Sequence, residues 1–162
     1  MRKKRVGVLI SGRGSNMRAL VEASRDPSYP ADIVFVASNR SDAVVIDFAR
    51  QCGIATTVVS HKDYSTREAF DAALNVELQK HDLDLICCAG FMRIMTSVLI
   101  QPWQGRMLNI HPSLLPLYKG LHTHERALAD GAKVHGASVH FVSEELDGGE
   151  VDEGEGSVDD AL

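Results

Sequence analysis

The sequence is poor in the features that mark specialised protein classes. No apolar run approaches the ~20 residues a membrane span needs. The basic start Met1-Arg-Lys-Lys-Arg5 is followed only by the short apolar run Val6 to Ile10 before Ser11-Gly12-Arg13-Gly14, too little for the apolar core of a secretory leader. That run reads as a first buried strand, and the expected compartment is the cytoplasm. Cysteine is scarce: Cys52, Cys87 and Cys88 are odd in number and lack framework spacing, which excludes a disulfide scaffold. Cys87 and Cys88 lie in an apolar stretch and are expected to act as small core residues. Basic charge is not in excess either. The net charge is −5, yet six acids and no bases follow from Glu150 onward, so the preceding 149 residues carry 17 bases against 16 acids, or +1. A nearly neutral body argues against a nucleic-acid groove.

What the chain does have is an alternation of short β-branched runs with helical patterns. Its 162 residues suit one domain, and a chain of that size buries roughly 70% of its unfolded surface. Strands are expected at Arg5–Ile10, Asp32–Ser38, Ile54–Val59, Asp84–Ala89, Met107–His111 and Ser138–Val142. Helices are expected at Ser15–Arg25, from Ser41 to about Cys52 with Gly53 terminating it, from Ser65 to about His81, and from Thr123 to about Ala129. Ser65 and Glu68 stand in capping-box spacing. Near-continuous apolar strands between helices predict an α/β fold: a doubly wound, mostly parallel, Rossmann-like sheet covered on both faces. Ligands of such sheets bind beyond the carboxyl ends of the strands.

Three motifs fall at such ends. The first strand runs into Ser11-Gly12-Arg13-Gly14-Ser15-Asn16 before a helix. Glycines let backbone approach a ligand, and the free N–H groups of a helix start attract phosphate. Met17 occupies the place of the third glycine of a dinucleotide fingerprint, and no Gly-Lys-Ser/Thr follows, so one phosphate monoester fits better than a dinucleotide. A plain strand-to-helix turn capped by Ser15 or Asn16 is the alternative. The fifth strand ends in Leu108-Asn109-Ile110-His111-Pro112-Ser113. Residues two apart share a strand face, so Asn109 and His111 point together, while Pro112 keeps His111 extended. An amide N–H₂ can hold a developing oxyanion, and an imidazole passes protons near neutral pH. A polar pair capping a strand is the other reading. After the strand ending at Val142 comes Ser143-Glu-Glu-Leu-Asp147-Gly-Gly149, a carboxylate on a tight loop. Beside His111, Asp147 would favour the imidazolium; otherwise it is an acidic surface turn. His122, His124, His135 and His140 lack the Glu-x-x-His or cysteine spacing of a metal site, and a substrate loop fits them better.

Taken in order, SGRGSN, AGFMRI at Ala89–Ile94, LNIHPSLLP at Leu108–Pro116, GLHTH at Gly120–His124, HGASVHFV at His135–Val142 and ELDGG at Glu145–Gly149 resemble the phosphoribosylglycinamide formyltransferases. These are the folate-dependent glycinamide ribonucleotide transformylases of purine synthesis. The resemblance covers nearly the whole chain to Gly149. It implies that the amine of glycinamide ribonucleotide attacks the formyl carbon of the co-substrate 10-formyltetrahydrofolate, and that no metal is needed. It also implies roles for residues: Asn109 for the oxyanion, His111 as proton donor, and Asp147 holding His111 charged and relaying the proton. Gly14, Ser15 and Asn16 match the family's substrate-phosphate loop. Arg67, Met92, Arg93, Ile94, Met95, Asn109, and Ser143, Glu144, Glu145, Leu146 and Asp147 match its folate-binding segments. The partners implied are small-molecule substrates, with neither nucleic acid nor membrane, and a monomer or homodimer.

The ending departs from that pattern. The family continues from the two glycines into an apolar strand and a long helix, whereas here Glu150-Val-Asp-Glu-Gly-Glu-Gly156 follows. Acids and glycines at this density are unsuited to a buried strand. The expectation is a catalytic domain at 1–149 and an acidic, mobile tail at 150–162 in place of the family's last strand and helix, with Ser157 and Asp160 in capping-box spacing. Two other functions share these motifs: a 10-formyltetrahydrofolate hydrolase, in which water replaces the amine, and a non-catalytic module binding a phosphorylated metabolite or folate.

Overall fold

The computed structural model describes residues 3–11, 15–40, 44–111, 134–142 and 151–157. Backbone contacts group the chain into two compact units, Met1–Met107 and Leu108–Leu162.

The first unit is built on β1 (Lys4–Ile10), α1 (Ser15–Ser24), β2 (Ala31–Ser38), α2 (Val44–Gln51), β3 (Ala55–Val58), α3 (Arg67–Gln79), β4 (Leu85–Cys88) and the short α4 (Ser97–Ile100). Its strands lie in the order β3-β2-β1-β4, and every pair is parallel. The chain winds outward from β1 through β2 to β3, then returns to the other side of β1 with β4. That reversal is the topological switch of a doubly wound sheet, as the alternation predicts, and it lies between β1 and β4. β1 is hydrogen-bonded on both edges, and Val8, Leu9 and Ile10 are wholly buried. Each such side chain contributes roughly 1.5–3 kcal/mol. Phe35, Val36, Leu74, Leu78 and Ile86 complete the apolar layers around it. Arg5 fastens β4 alongside: its N–H donates to Asp84 Oδ2 at 2.8 Å, and its guanidinium donates to the His81 carbonyl at 2.8 Å.

Cys88 is buried and Cys87 half-buried. Burial pushes the Cys87 thiol up to about 11 and that of Cys88 up as well, so neither is a thiolate near neutral pH. Cys88 packs in the core as the apolar context predicts, whereas Cys87 is only half-buried.

Helix ends follow local chemistry. Gly53 sits at φ +76°, its N–H donates to the Arg50 carbonyl, and the Ile54 N–H donates to the Ala49 carbonyl. This is the paired closure that a glycine just past a helix makes possible. The start of α3 differs from expectation. The cap is Thr66, not Ser65: Thr66 is extended and its Oγ1 accepts from the Ala69 N–H at 3.1 Å. Either hydroxyl could cap. Starting one residue later leaves Glu68 in the first turn, where the helix dipole favours an acid. Among the described residues no helix is long and apolar enough to cross a membrane.

The second unit holds β5 (Met107–His111, beginning one residue before the unit boundary), β6 (Val134–Phe141) and β7 (Val151–Ser157), in the order β5-β6-β7. Both pairs are antiparallel, with Asn109 opposite His140, His111 opposite Ser138, and Ser138 opposite Glu153. β6 begins four residues before the expected Ser138. β7 is a correction: a strand stands where an acidic tail without one was expected. A ladder requires only backbone N–H and C=O groups, and antiparallel sheets need not bury both faces. The expected helix at 123–129 and residues 158–162 lie outside the described residues.

Replacing Gly53 with Ala forces a side chain into a left-handed backbone and is expected to cost about 1–2 kcal/mol. Gln51→Ala, at an exposed position two residues earlier, should stay within about 0.5 kcal/mol. Urea unfolding of both variants checks this, and equal stabilities would contradict the closure described.

Candidate active site

In the first unit the carboxyl ends of β1, β2 and β4 converge. Ser11, directly after β1, is 3% exposed, and Asn39, directly after β2, is 3% exposed. The Ser11 hydroxyl donates to Asn39 Oδ1 at 2.5 Å and accepts from the Met92 N–H at 2.8 Å. The Ser11 N–H donates to the Gly90 carbonyl at 3.1 Å. Gly90 itself turns the chain after β4 at φ +79°. The Asn39 amide stands 3.4 Å from His61 Nδ1, and the Asn39 carbonyl stands 3.3 Å from the same nitrogen. The corner after β4 is thus held to the ends of its neighbours at the topological switch, where ligands of such sheets bind.

From that corner Met92 and Ile94 project into solvent, 54% and 58% exposed, while Arg93 and Met95 are half-buried. These two exposed apolar side chains stand at a strand's carboxyl end, the side on which ligands of such sheets bind. The segment is pinned from below by α3. The Arg93 guanidinium lies over the Phe70 ring at 5.1 Å. The Thr96 N–H and hydroxyl both donate to Asp71 Oδ2 at 2.7 Å. Trp103 Nε1 donates to Asn75 Oδ1 at 2.8 Å. Asp71 is 1% exposed. Burial raises its carboxyl above the ordinary range, against the opposing pull of the two Thr96 hydrogen bonds and the Arg93 charge.

The residues singled out from sequence fall as follows. Arg67 is the exposed first residue of α3. Ser15 and Asn16 open α1. Asn109 and His111 occupy alternate positions in the last three residues of β5, and Asn109 is half-buried. Gly14 and the segment Ser143, Glu144, Glu145, Leu146 and Asp147 lie outside the described residues, so Asp147 is not placed against His111. His122 and His124 also lie outside them. Among the described residues no three His, Cys, Asp or Glu side chains converge as metal ligands. Ser11, Asn39 and His61 were not anticipated. The available signal was that Ser11 and Asn39 are polar residues directly following two apolar strands.

The chain matches the formyl transferase family model over residues 4–152. The chain belongs to this family. It is 47% identical over 128 residues to the phosphoribosylglycinamide formyltransferase of Escherichia coli, covering 79% of this chain and 60% of that one. It is 52% identical over 131 residues to the trifunctional purine biosynthetic protein adenosine-3 of Chironomus tentans, and spans 10% of that protein's length. Among solved structures, the phosphoribosylglycinamide formyltransferase of Brucella melitensis superposes with a TM-score of 0.88 at 45% identity, covering 96% of this chain and 80% of that one. The Rossmann-like fold expected from the strand and helix alternation is the fold of these relatives.

The environment of Asp71 makes a signed prediction. Its folded-state pKa is raised, so its stabilising contribution is complete below the ordinary carboxylate value and is lost as pH rises through the raised one. Asp71→Asn keeps an oxygen for Thr96 without the charge. Relative to wild type it should be more stable at pH 7 than at pH 4. Asp71→Ala removes the acceptor and should lose about 1–3 kcal/mol at either pH. Thermal denaturation of the three proteins at both pH values decides the sign.

Proposed function

We propose that the chain transfers the formyl group of 10-formyltetrahydrofolate to the amine of glycinamide ribonucleotide, in the de novo purine pathway of the cytoplasm. The observation that carries this reading is the end of β5, where an amide and an imidazole stand two residues apart in a chain of the formyl transferase family. The names borne by its relatives favour this acceptor. Residues 1–149 form the catalytic domain.

The amine nitrogen attacks the formyl carbon, forming a C–N bond and a tetrahedral oxyanion. The Asn109 side-chain amide donates to that oxyanion, which is worth most where charge develops. Asp147 keeps His111 in its imidazolium form, since a neighbouring negative charge favours the charged ring. The imidazolium gives its proton as the bond from the formyl carbon to the folate nitrogen breaks. The proton lost by the attacking amine restores His111 through Asp147. Gly14, Ser15 and Asn16 receive the substrate phosphate at the start of α1, where free N–H groups point outward. Met92, Ile94 and Met95 form the apolar wall for the pterin, with Arg93, Arg67, Asn109 and Ser143–Asp147 completing the folate site.

The test mixes the chain with glycinamide ribonucleotide and 10-formyltetrahydrofolate and follows release of deformylated folate with and without the amine. Amine-dependent turnover is expected. His111→Ala should lower it by about 10²–10⁴-fold and Asn109→Ala by about 10²–10³-fold. Folate loss without the amine would replace the transferase with a hydrolase. Binding of both ligands without turnover would make the chain a binding module.

A further inference from the structure

We infer that Ser11 is a positioning residue for the formyl donor: its buried hydroxyl sets the place of the Met92 backbone and so the angle at which the apolar wall meets the folate. The inference rests on the reading of Met92–Met95 as the folate wall. Ser11 touches no reacting atom in this account.

Three observations carry it. Ser11 and Asn39 are both almost wholly buried, so their polar atoms depend on one another. The Ser11 hydroxyl has one hydrogen, and Asn39 Oδ1 accepts it at 2.5 Å. That fixes the rotor and turns the oxygen's lone pairs away from Asn39, toward the Met92 N–H at 2.8 Å. Met92 is also where the chain, after the positive-φ turn at Gly90, sends its first exposed apolar side chain into solvent. A turn at glycine has unusual backbone freedom. The Ser11 backbone bond holds the Gly90 carbonyl, and the Ser11 side chain is the clamp two residues on. The same residue directly precedes Gly12-Arg13-Gly14 in the sequence. Ser11→Ala keeps that backbone path intact and removes only the clamp, which separates the effect on the donor from that on the phosphate-bearing acceptor.

The experiment measures kcat and the KM for each substrate in wild type, Ser11→Ala and Ser11→Thr, with the melting temperature of each. Loss of one hydrogen bond that orients a binding wall should raise the donor KM of Ser11→Ala about 5–10-fold. kcat at saturating donor and the acceptor KM should move less than about twofold, the pattern of lost uniform binding. Ser11→Thr, which keeps the hydroxyl, should hold the donor KM nearer to wild type. A donor KM in Ser11→Ala within about twofold of wild type overturns the inference, whatever the melting temperature does. Should Ser11→Ala fail to fold, amide exchange on the wild type decides. Met92 N–H exchange slowed about 100-fold or more below the rate of an open peptide supports the clamp, and exchange at the open-peptide rate overturns it. A wild-type chain that neither binds nor consumes the folate overturns the functional reading first and this inference with it, an outcome distinct from an unaffected Ser11→Ala.

Discussion

Everything in the first unit depends on β1 being paired on both edges. A strand with parallel neighbours on either side has its backbone polar groups satisfied and must be apolar on both faces, which is why Val8 to Ile10 are wholly buried. The cost of that arrangement falls at the end of the strand. Where β1 stops, Ser11 is still inside, and its polar atoms must find partners that belong to other strands. They find Asn39 after β2 and Gly90 and Met92 after β4. The candidate site therefore grows out of a satisfaction problem: the same bonds that close the sheet also set the corner from which Met92 and Ile94 project.

α3 supplies the second constraint. Phe70, Asp71 and Asn75 lie along one stretch of the helix, and they engage Arg93, Thr96 and Trp103 in turn. Two of the three contacts are polar bonds from buried or half-buried groups, with energies that depend on geometry.

Much of this was legible in the sequence, and the unread part has physical causes. The strands and helices of the first unit announce themselves because β-branched runs and helical periodicity alternate without interruption. The Asn109 and His111 pair was visible because a strand has a strict period of two. The cap of α3 was misplaced by one residue because Ser65 and Thr66 are chemically equivalent candidates, and only the extended backbone of Thr66 decides between them. β7 was missed because its composition argues against burial, whereas its pairing with β6 is a property of the backbone alone. α4 and the turn that follows it carry no periodic signal at that length. The bonds of Ser11 with Asn39 and Met92 could not be read at all. They join residues 28 and 81 positions apart, and nothing in one sequence records such a separation.

The three-point attachment to α3 has a consequence for how this protein can vary. Successive residues of a helix advance by about 1.5 Å, so Phe70 and Asn75 mark off a fixed length of roughly 7.5 Å against which the segment from Arg93 to Trp103 is laid. An inserted or deleted residue in that segment would throw at least one attachment out of step. The side chains of Met92 and Ile94 make none of these attachments, so the spacing to α3 does not depend on their identity. The frame thus fixes the length of this segment, while the chemistry of the face it presents is set separately by the side chains it exposes.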